Sequence, residues 1–592
     1  MSEVALLSGN EAVARGLWEA GGRFASAYPG TPSTEILENV SRYEEFVATW
    51  GANEKTAFEM ATGASVGGAR ALVAMKHVGL NVAADPLMSF AYAGVNGGFI
   101  VVTADDPGMH SSQNEQDNRW YAFFAKVPIL EPSDSQEAKD FVALGFELSE
   151  TYDTPVILRL TTRISHSKTR VTLGPRQDVP LKPYKKDVSK NLLMPANART
   201  RHAFIENERL PRLKEVSETS GVNRVEWGDR ALGIITGSIA YQYAREVYPG
   251  ASFLKIGMVH PFPDDLTRRF ASEVKEVLVI EELDPIIENN CRRLGLKVRG
   301  KDAIPITGEL DQAVVRRVLG LAEPRPADPE FAALARPPVF CPGCAHRPVF
   351  LTLHRMHATV TGDIGCYTLG ALPPLSAMDT CLCMGASITQ NIGMVKVRGE
   401  EFGKKAVAVI GDSTFFHSGI TGLVDCVFTK TPVTVVILDN DITAMTGHQE
   451  NPGTGRDIRH QPNPKVDIEA LAKSLGVGFV RTVLPYEMDG LRKTLEEAME
   501  YPGVAVVIAR ARCVLLEKDN PQGPLHILQD LCDECGACLR VGCPAVVKGE
   551  DGSIMIDERT CVGAHCSVCA QVCKKDAILT REGVLPIFHP EA

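Results

Sequence analysis

The chain has 592 residues, 44% of them hydrophobic and 23% charged, which excludes an intrinsically disordered protein and exceeds what a single core organises. Its net charge of -11 excludes a general nucleic-acid binder, and an aromatic content of 6% leaves no basic, aromatic stripe on which bases would stack. Several globular domains acting on small molecules are expected.

In chain order, the opening MSEVALLSGNEAVARG lacks a basic segment followed by a long apolar one, so no secretory signal is expected. The apolar runs FIVVTA, VTVVILD and GVAVVIA are too short to span a bilayer and read as strands. Residues 1–165 alternate strand-like and helix-like stretches, with strands at 71–75, 99–104 and 155–160. Uninterrupted apolar strands between helices predict a parallel sheet covered on both faces. Residues 166–225 are charged, Pro-bearing and aperiodic, which predicts a linker or arm. Residues 226–325 predict a small α/β domain, built on ALGIITGS, SFLKIG and EVLVIEEL, and AEPRPADPE (322–330) marks its end. Residues 326–525 predict another α/β domain, with strands near 406–411, 433–439 and 504–509. From 526 to 592 the composition turns cysteine-rich.

Sixteen cysteines in a long chain argue against a disulfide scaffold, which is a device of short secreted domains. Eight lie in two runs, Cys532-x2-Cys535-x2-Cys538-x4-Cys543-Pro544 and Cys561-x4-Cys566-x2-Cys569-x3-Cys573. In two-cluster ferredoxins three closely spaced thiolates hold one cube and the fourth crosses to the other. By that rule Cys532, Cys535, Cys538 and Cys573 hold one [4Fe–4S] cluster, and Cys543, Cys561, Cys566 and Cys569 hold a second. Structural zinc, which uses pairs of CxxC spaced a dozen or more residues apart, fits these interleaved runs less well. The x4 spacings and Lys574 in place of proline depart from the usual pattern without removing a ligand. Such clusters carry single electrons, so an enzyme upstream is expected to feed them, in a reducing, cytoplasmic setting.

AVAVIGDSTFFHSG and PVTVVILDNDITAMTGHQ place Gly411-Asp412-Ser413 and Asp439-Asn440 at the carboxyl ends of two predicted parallel strands, where α/β sheets bind ligands. A diphosphate there needs Mg2+, which takes oxygen ligands. Asp412 and Asn440 supply a carboxylate and an amide oxygen, Ile442 could supply a main-chain carbonyl, and Gly411 permits close approach. Taken alone, a Gly-Asp after a strand is equally an ordinary turn.

With these motifs the sequence resembles the thiamine-diphosphate-dependent 2-oxoacid:ferredoxin oxidoreductases. CPGCAHR (341–347), DIGCYTLG (363–370) and TGHQ (446–449) are similar to landmarks of that family, as are AYPGTPSTEI (27–36), NEKTAFEMATGAS (53–65) and EELDP (281–285). MKHVGLNVAADP (75–86), DDPGMHSSQNEQDNR (105–119) and GDSTFFHSGITGL (411–423) resemble the α subunits of its indolepyruvate:ferredoxin oxidoreductase branch. The resemblance implies two doubly wound parallel-sheet domains, binding the pyrimidine and the diphosphate of the cofactor, a small transketolase-C-terminal-like α/β domain, and a two-cluster ferredoxin-like domain.

It also implies roles. Glu54 matches the glutamate that shares a proton with the aminopyrimidine and so activates the cofactor; Glu59, or a surface salt-bridge role for Glu54, is the competing assignment. Thr31 faces the 2-oxoacid carboxylate by family match, although a threonine just before a helix is more often an N-cap. Relatives acting on pyruvate place an arginine on that carboxylate where Asp105 stands here. His77, His110 and His448 are candidate proton carriers, with a structural role as the alternative. Gly365, Cys366 and Met384 join Gly411, Asp412, Ser413, Asn440 and Ile442 around the cofactor. Cys341, Cys344, Cys366 and Cys513 match a third [4Fe–4S] cluster, with reduced buried thiols as the alternative, and Cys291, Cys381, Cys383 and Cys426 are left over.

The implied reaction is coenzyme A-dependent oxidative decarboxylation of arylpyruvates, namely indolepyruvate, phenylpyruvate and 4-hydroxyphenylpyruvate. Its products are aryl-acetyl-CoA and CO2, and its electrons pass through the clusters to an external ferredoxin. A separate, smaller β subunit would complete the enzyme as a heterodimer or α2β2. Pyruvate or branched-chain 2-oxoacids are the alternative substrates. A non-oxidative thiamine enzyme would need no electron wire, and a mere electron carrier would need neither Glu54 nor the Asp412/Asn440 pair.

Overall fold

A computed structural model describes residues 3–322, 337–516 and 523–586. The chain forms two compact units, Met1–Ala332 and Ala333–Ala592. Of the boundary stretch AEPRPADPE, residues 323–330 lie outside the described residues.

The first unit is built on a seven-stranded sheet. Its order is Met258–His260, Ile129–Leu130, Val156–Thr161, Phe99–Asp105, Ala71–Lys76, Phe24–Ala27, Val47–Trp50. All neighbours are parallel except the first pair. The central strands are buried throughout except at Lys76, the last residue of Ala71–Lys76, as their apolar runs require. A four-stranded sheet follows, with Glu276–Ile280, Asp229–Gly237 and Ala251–Ile256 parallel and Arg224–Glu226 antiparallel at its edge. The two sheets share one core, in which Phe58, Phe99 and Val101 join Leu254, Ile256 and Phe270.

The segment 166–225 is more structured than the aperiodic sequence predicts. Lys168–Thr172 pairs antiparallel with Val4–Ser8, and Pro195–Thr219 is continuously helical, with a π-turn at Ile205–Arg209. Arg209 is fully buried and donates to the carbonyls of Ala91 (2.6 Å), Tyr152 (3.1 Å) and Asp153. This arm is fastened by charges to backbone carbonyls, and so it carries no long apolar stripe.

The second unit holds a six-stranded, wholly parallel sheet in the order Thr380–Cys381, Thr359–Gly362, Ala406–Gly411, Thr434–Asp439, Ala505–Arg510, Phe479–Val483. Two short antiparallel pairs follow, His526–Ile527 with Ile578–Leu579 and Val546–Lys548 with Ile554–Ile556. Val541, Val568 and Val572 of this last part sit in the same core as Phe340, Val349 and Tyr486 of the sheet domain. Among the described residues no helix is long and apolar enough to cross a membrane.

Candidate functional site

In the first unit, four adjacent parallel strands deliver polar residues to one edge of the sheet, the edge at their carboxyl ends. Thr31 follows Phe24–Ala27, Glu54 follows Val47–Trp50, Lys76 and His77 end Ala71–Lys76, and Asp105 and Asp106 end Phe99–Asp105. Glu54 opens its helix. Asn53 caps that helix by accepting from the Thr56 amide (2.9 Å), and the Thr56 hydroxyl bonds back to the Asn53 amide (3.2 Å). Glu54 is 5% exposed. A Cβ on Gly79 would lie 2.7 Å from Glu54 Oε1, so the helix His77–Val82 approaches this carboxyl only because residue 79 is glycine. Glu59, the rival, is exposed and paired with Lys55.

Thr31 is not the N-cap of the helix Thr34–Val40; Ser33 holds that position. The Ser33 hydroxyl donates to the Gly30 carbonyl (2.9 Å), and the Gly30 amide donates to the Thr34 hydroxyl (2.9 Å). Among the described residues the Thr31 hydroxyl has no hydrogen-bond partner. His77 is fully buried and its Nε2 donates to the Asn114 carbonyl (3.2 Å). Burial, then Lys76, depresses its pKa to about 4, so it is neutral. His110 is exposed and lies 3.2 Å from Glu309.

Asp105 is turned into the protein. Its Oδ2 accepts from Arg159 Nε (2.6 Å) and from the Asn118 amide (3.0 Å), and Arg159 also pairs with Glu131. Beside it Arg119 pairs with Asp117 (2.5 Å) and with Glu281 (2.7 Å). Glu281 in turn accepts from the amides of Ile287 (3.0 Å) and Glu288 (2.9 Å). The motifs DDPGM…DNR and EELDP therefore meet each other in a buried ionic lattice that joins the two sheets of the unit.

In the second unit the carboxyl ends of the strands again carry the polar groups. Asp412 is buried; its Oδ1 accepts from the Ser413 amide (2.7 Å), and its Oδ2 lacks a partner. Burial, then Asp439, pushes its pKa up to about 8, while the nearby main chain of Ile442 pulls the other way. Asn440 and Ile442 are both buried. The Ser413 hydroxyl accepts from Thr443 (2.9 Å). Around Asp412, the neighbours Asp439 and Asp441 are paired with Arg510 (2.7 Å) and Lys465 (3.0 Å), so the orphaned oxygen of Asp412 is the one left to bind from outside, and it fits a hard divalent cation with a diphosphate. Gly411 is also required by the packing around it. A Cβ there would meet the Tyr367 ring at 2.7 Å, and one on Gly365 would meet it at 2.3 Å. Asp363 accepts from the amides of Gly385 (2.9 Å) and Ser387 (3.0 Å), which fixes the turn bearing Cys383 and Met384 to the strand Thr359–Gly362. His448 lies in this unit, half-buried, with φ at 69°.

The cysteines fall into sets. Cys532, Cys535, Cys538 and Cys573 line one small hollow, and Cys543, Cys561, Cys566 and Cys569 line another. Among the described residues no His, Cys, Asp or Glu trio closes on a single point. Pro342 and Gly343 line the second hollow. Gly343, at φ 75°, lets this loop approach Val562. Cys341, Cys344, Cys366 and Cys513 interact electrostatically with one another; burial and these neighbours push Cys344 up to about 12 and Cys366 up to about 11. The Cys513 amide donates to the Asn440 carbonyl (3.0 Å), which puts this set beside Asp412. Arg347 ties the sets together by donating to the carbonyls of Phe340 (2.8 Å), Cys341 (2.9 Å), Val541 (3.3 Å) and Gly542. Of the leftover thiols, Cys291 and Cys426 are buried in apolar cores.

Lys76, Gly79, Tyr367 and Arg347 were not singled out from the sequence. Only the motifs containing or adjoining them hinted at them, because their roles depend on partners distant along the chain.

Residues 15–211 match the family described as pyruvate flavodoxin/ferredoxin oxidoreductase, thiamine diphosphate-binding. Residues 363–509 match the C-terminal cofactor-binding domain of thiamine pyrophosphate enzymes. A chain carrying both is a thiamine-diphosphate-dependent oxidoreductase of the 2-oxoacid:ferredoxin class. The indolepyruvate oxidoreductase subunit IorA of Archaeoglobus fulgidus is 41% identical over 97% of this chain and 97% of its own. The IorA subunit of Pyrococcus horikoshii is 39% identical over 98% of each. The chain belongs to the IorA family of indolepyruvate oxidoreductase subunits. A solved 2-oxoglutarate:ferredoxin oxidoreductase from Magnetococcus marinus is similar over 54% of this chain and 65% of its own, at 20% identity and a TM-score of 0.45.

Proposed function

We propose that this chain, the catalytic α subunit of a 2-oxoacid:ferredoxin oxidoreductase, oxidatively decarboxylates arylpyruvates to aryl-acetyl-CoA and CO2. Indolepyruvate, phenylpyruvate and 4-hydroxyphenylpyruvate are the substrates, coenzyme A takes the acyl group and ferredoxin takes the electrons. The names of the full-length relatives support the aryl side chain and a separate β subunit. Thiamine diphosphate, when bound, supplies the carbon nucleophile and the electron sink for the loss of CO2. Asp412, Asn440 and the Ile442 carbonyl hold Mg2+ against its diphosphate. Glu54, at a helix N-terminus and shielded from water, holds the proton shared with the cofactor's ring.

The observation that carries the oxidative half is the succession of cysteine sets. One adjoins Asp412 and Asn440, the next shares a wall with the Cys341–Cys344 loop, and the last includes the exposed Cys535. Three [4Fe–4S] clusters in that order lead single electrons from the cofactor to the surface. Cys344, Cys366 and Cys513, whose pKa values are driven up by burial and by neighbouring thiols, need a cationic cluster to exist as thiolates.

The test is anoxic. The chain is purified with its partner subunit and supplied with thiamine diphosphate, Mg2+ and coenzyme A. Viologen reduction is then followed with indolepyruvate, phenylpyruvate, pyruvate and 2-oxoisovalerate. Fast reduction with the aryl acids alone is expected. Preference for pyruvate or 2-oxoisovalerate would remove the aryl assignment, and no reduction with any oxoacid would remove the reaction.

A further inference from the structure

We propose that Lys76 is the cation that receives the carboxylate of the 2-oxoacid. The inference rests on the reading of the substrate as a 2-oxoacid and names the residue that recognises its acid group. A carboxylate entering a half-buried site loses hydration, and only a cation or several N–H donors can replace it. The arginines at this strand edge are committed elsewhere: Arg119 and Arg159 are buried against Asp117, Glu281, Asp105 and Glu131, and Arg163 pairs with Glu309. Asp105 carries the wrong charge and faces away.

Lys76 ends the strand Ala71–Lys76, and its stem lies over the Gly30 backbone, beside Thr31. A Cβ on Gly30 would meet Lys76 Cγ at 3.2 Å and Cδ at 3.3 Å. Its ammonium carries three donors. Among the described residues it uses one, to the Ser111 carbonyl (3.1 Å), and it lies within ion-pair distance of no carboxylate. Glu54 and Asp106 hold the charge on from further off, against burial, which pulls its pKa down. The Asp106 carboxylate is already occupied by the Ser111 amide (2.8 Å) and the hydroxyls of Ser112 (2.7 Å) and Thr162 (2.7 Å). A half-buried ammonium with spare donors, next to the unpartnered Thr31 hydroxyl and on the same edge as Glu54, offers two donor groups for one carboxylate. It keeps the acid end of the substrate near the carboxyl that handles the proton.

The test compares wild type with Lys76→Met, Lys76→Gln and Lys76→Arg in the anoxic complex with the partner subunit. Binding of thiamine diphosphate, measured by calorimetry, checks folding. Removing a charge-assisted hydrogen bond predicts a KM for the oxoacid raised about 10- to 100-fold in the Met and Gln variants, with the KM for coenzyme A unchanged. The Arg variant is expected to recover most of that loss. A second readout is inhibition by the uncharged amide of the oxoacid. Wild type should bind the acid about 10- to 100-fold more tightly than the amide, and Lys76→Met or Lys76→Gln should lose the preference. A merely structural lysine would not produce that change. An active wild type whose variants keep both the KM and the preference for acid over amide overturns the role of Lys76 and leaves the function intact. A wild type inactive with every oxoacid overturns the function itself.

Discussion

The two units treat buried charge in opposite ways. In the first, each buried charge of the ionic lattice has its counterion inside the fold, with Arg159 between Asp105 and Glu131 and Arg119 between Asp117 and Glu281. In the second, Asp412 is buried with no ion pair of its own among the described residues, although its neighbours Asp439 and Asp441 are held by Arg510 (2.7 Å) and Lys465 (3.0 Å). Burial, with neighbouring thiols adding to it, drives up the pKa values of Cys344, Cys538 and Cys569, one thiol in each cysteine set. Internal pairing marks architecture, since removing either partner strands a charge. Unpaired crowding marks a site completed from outside, because no fold gains by leaving such groups uncompensated.

That contrast can be broken by substitution. Arg159→Met strands Asp105 and Glu131 and is expected to cost about 3–5 kcal/mol, read as a lowered unfolding midpoint with or without cofactor. Asp412→Asn is expected to do the reverse in cofactor-free protein. A carboxyl whose folded pKa is raised contributes stability only below its unfolded value, and costs progressively more as pH climbs toward the folded value of about 8. At pH 7 the Asn variant should therefore be no less stable, and on the order of 1–3 kcal/mol more so, while its affinity for Mg2+ and thiamine diphosphate falls at least about tenfold. Loss of stability in this variant would place Asp412 with the architecture.

A smaller effect sharpens the same point. Between about pH 4 and pH 8 the metal-free chain holds a proton on Asp412 that Mg2+ must displace. Affinity for the Mg2+–cofactor pair should rise about tenfold per pH unit and level off above 8. Calorimetry in two buffers of different ionisation heat reads the released proton directly, and a flat profile would contradict the assignment.

Much of this was legible in the sequence, for physical reasons. Buried parallel strands must be apolar throughout, so Phe99–Asp105 and Thr434–Asp439 announced themselves. Cysteine spacing is local, so the two C-terminal runs announce the residues that line each hollow. What stayed hidden depends on partners far along the chain. Lys168–Thr172 is a strand because Val4–Ser8 lies beside it, and Met258–His260 joins the first sheet from the following domain. Asp105 was read as a departure in the substrate site, yet Arg159 on the neighbouring strand draws it inward. Lys76 beside His77 looks like any solvated lysine until Gly30 is found beneath its stem.

The most direct measurement of the claim that unpaired crowding marks cofactor sites is iron content with electron paramagnetic resonance on anoxically purified protein. Three [4Fe–4S] clusters predict about twelve irons per chain, falling to about eight when Cys341 and Cys513 are both changed to Ser. Zinc in place of iron, or a wild-type content of eight irons that the double variant leaves unchanged, would contradict it.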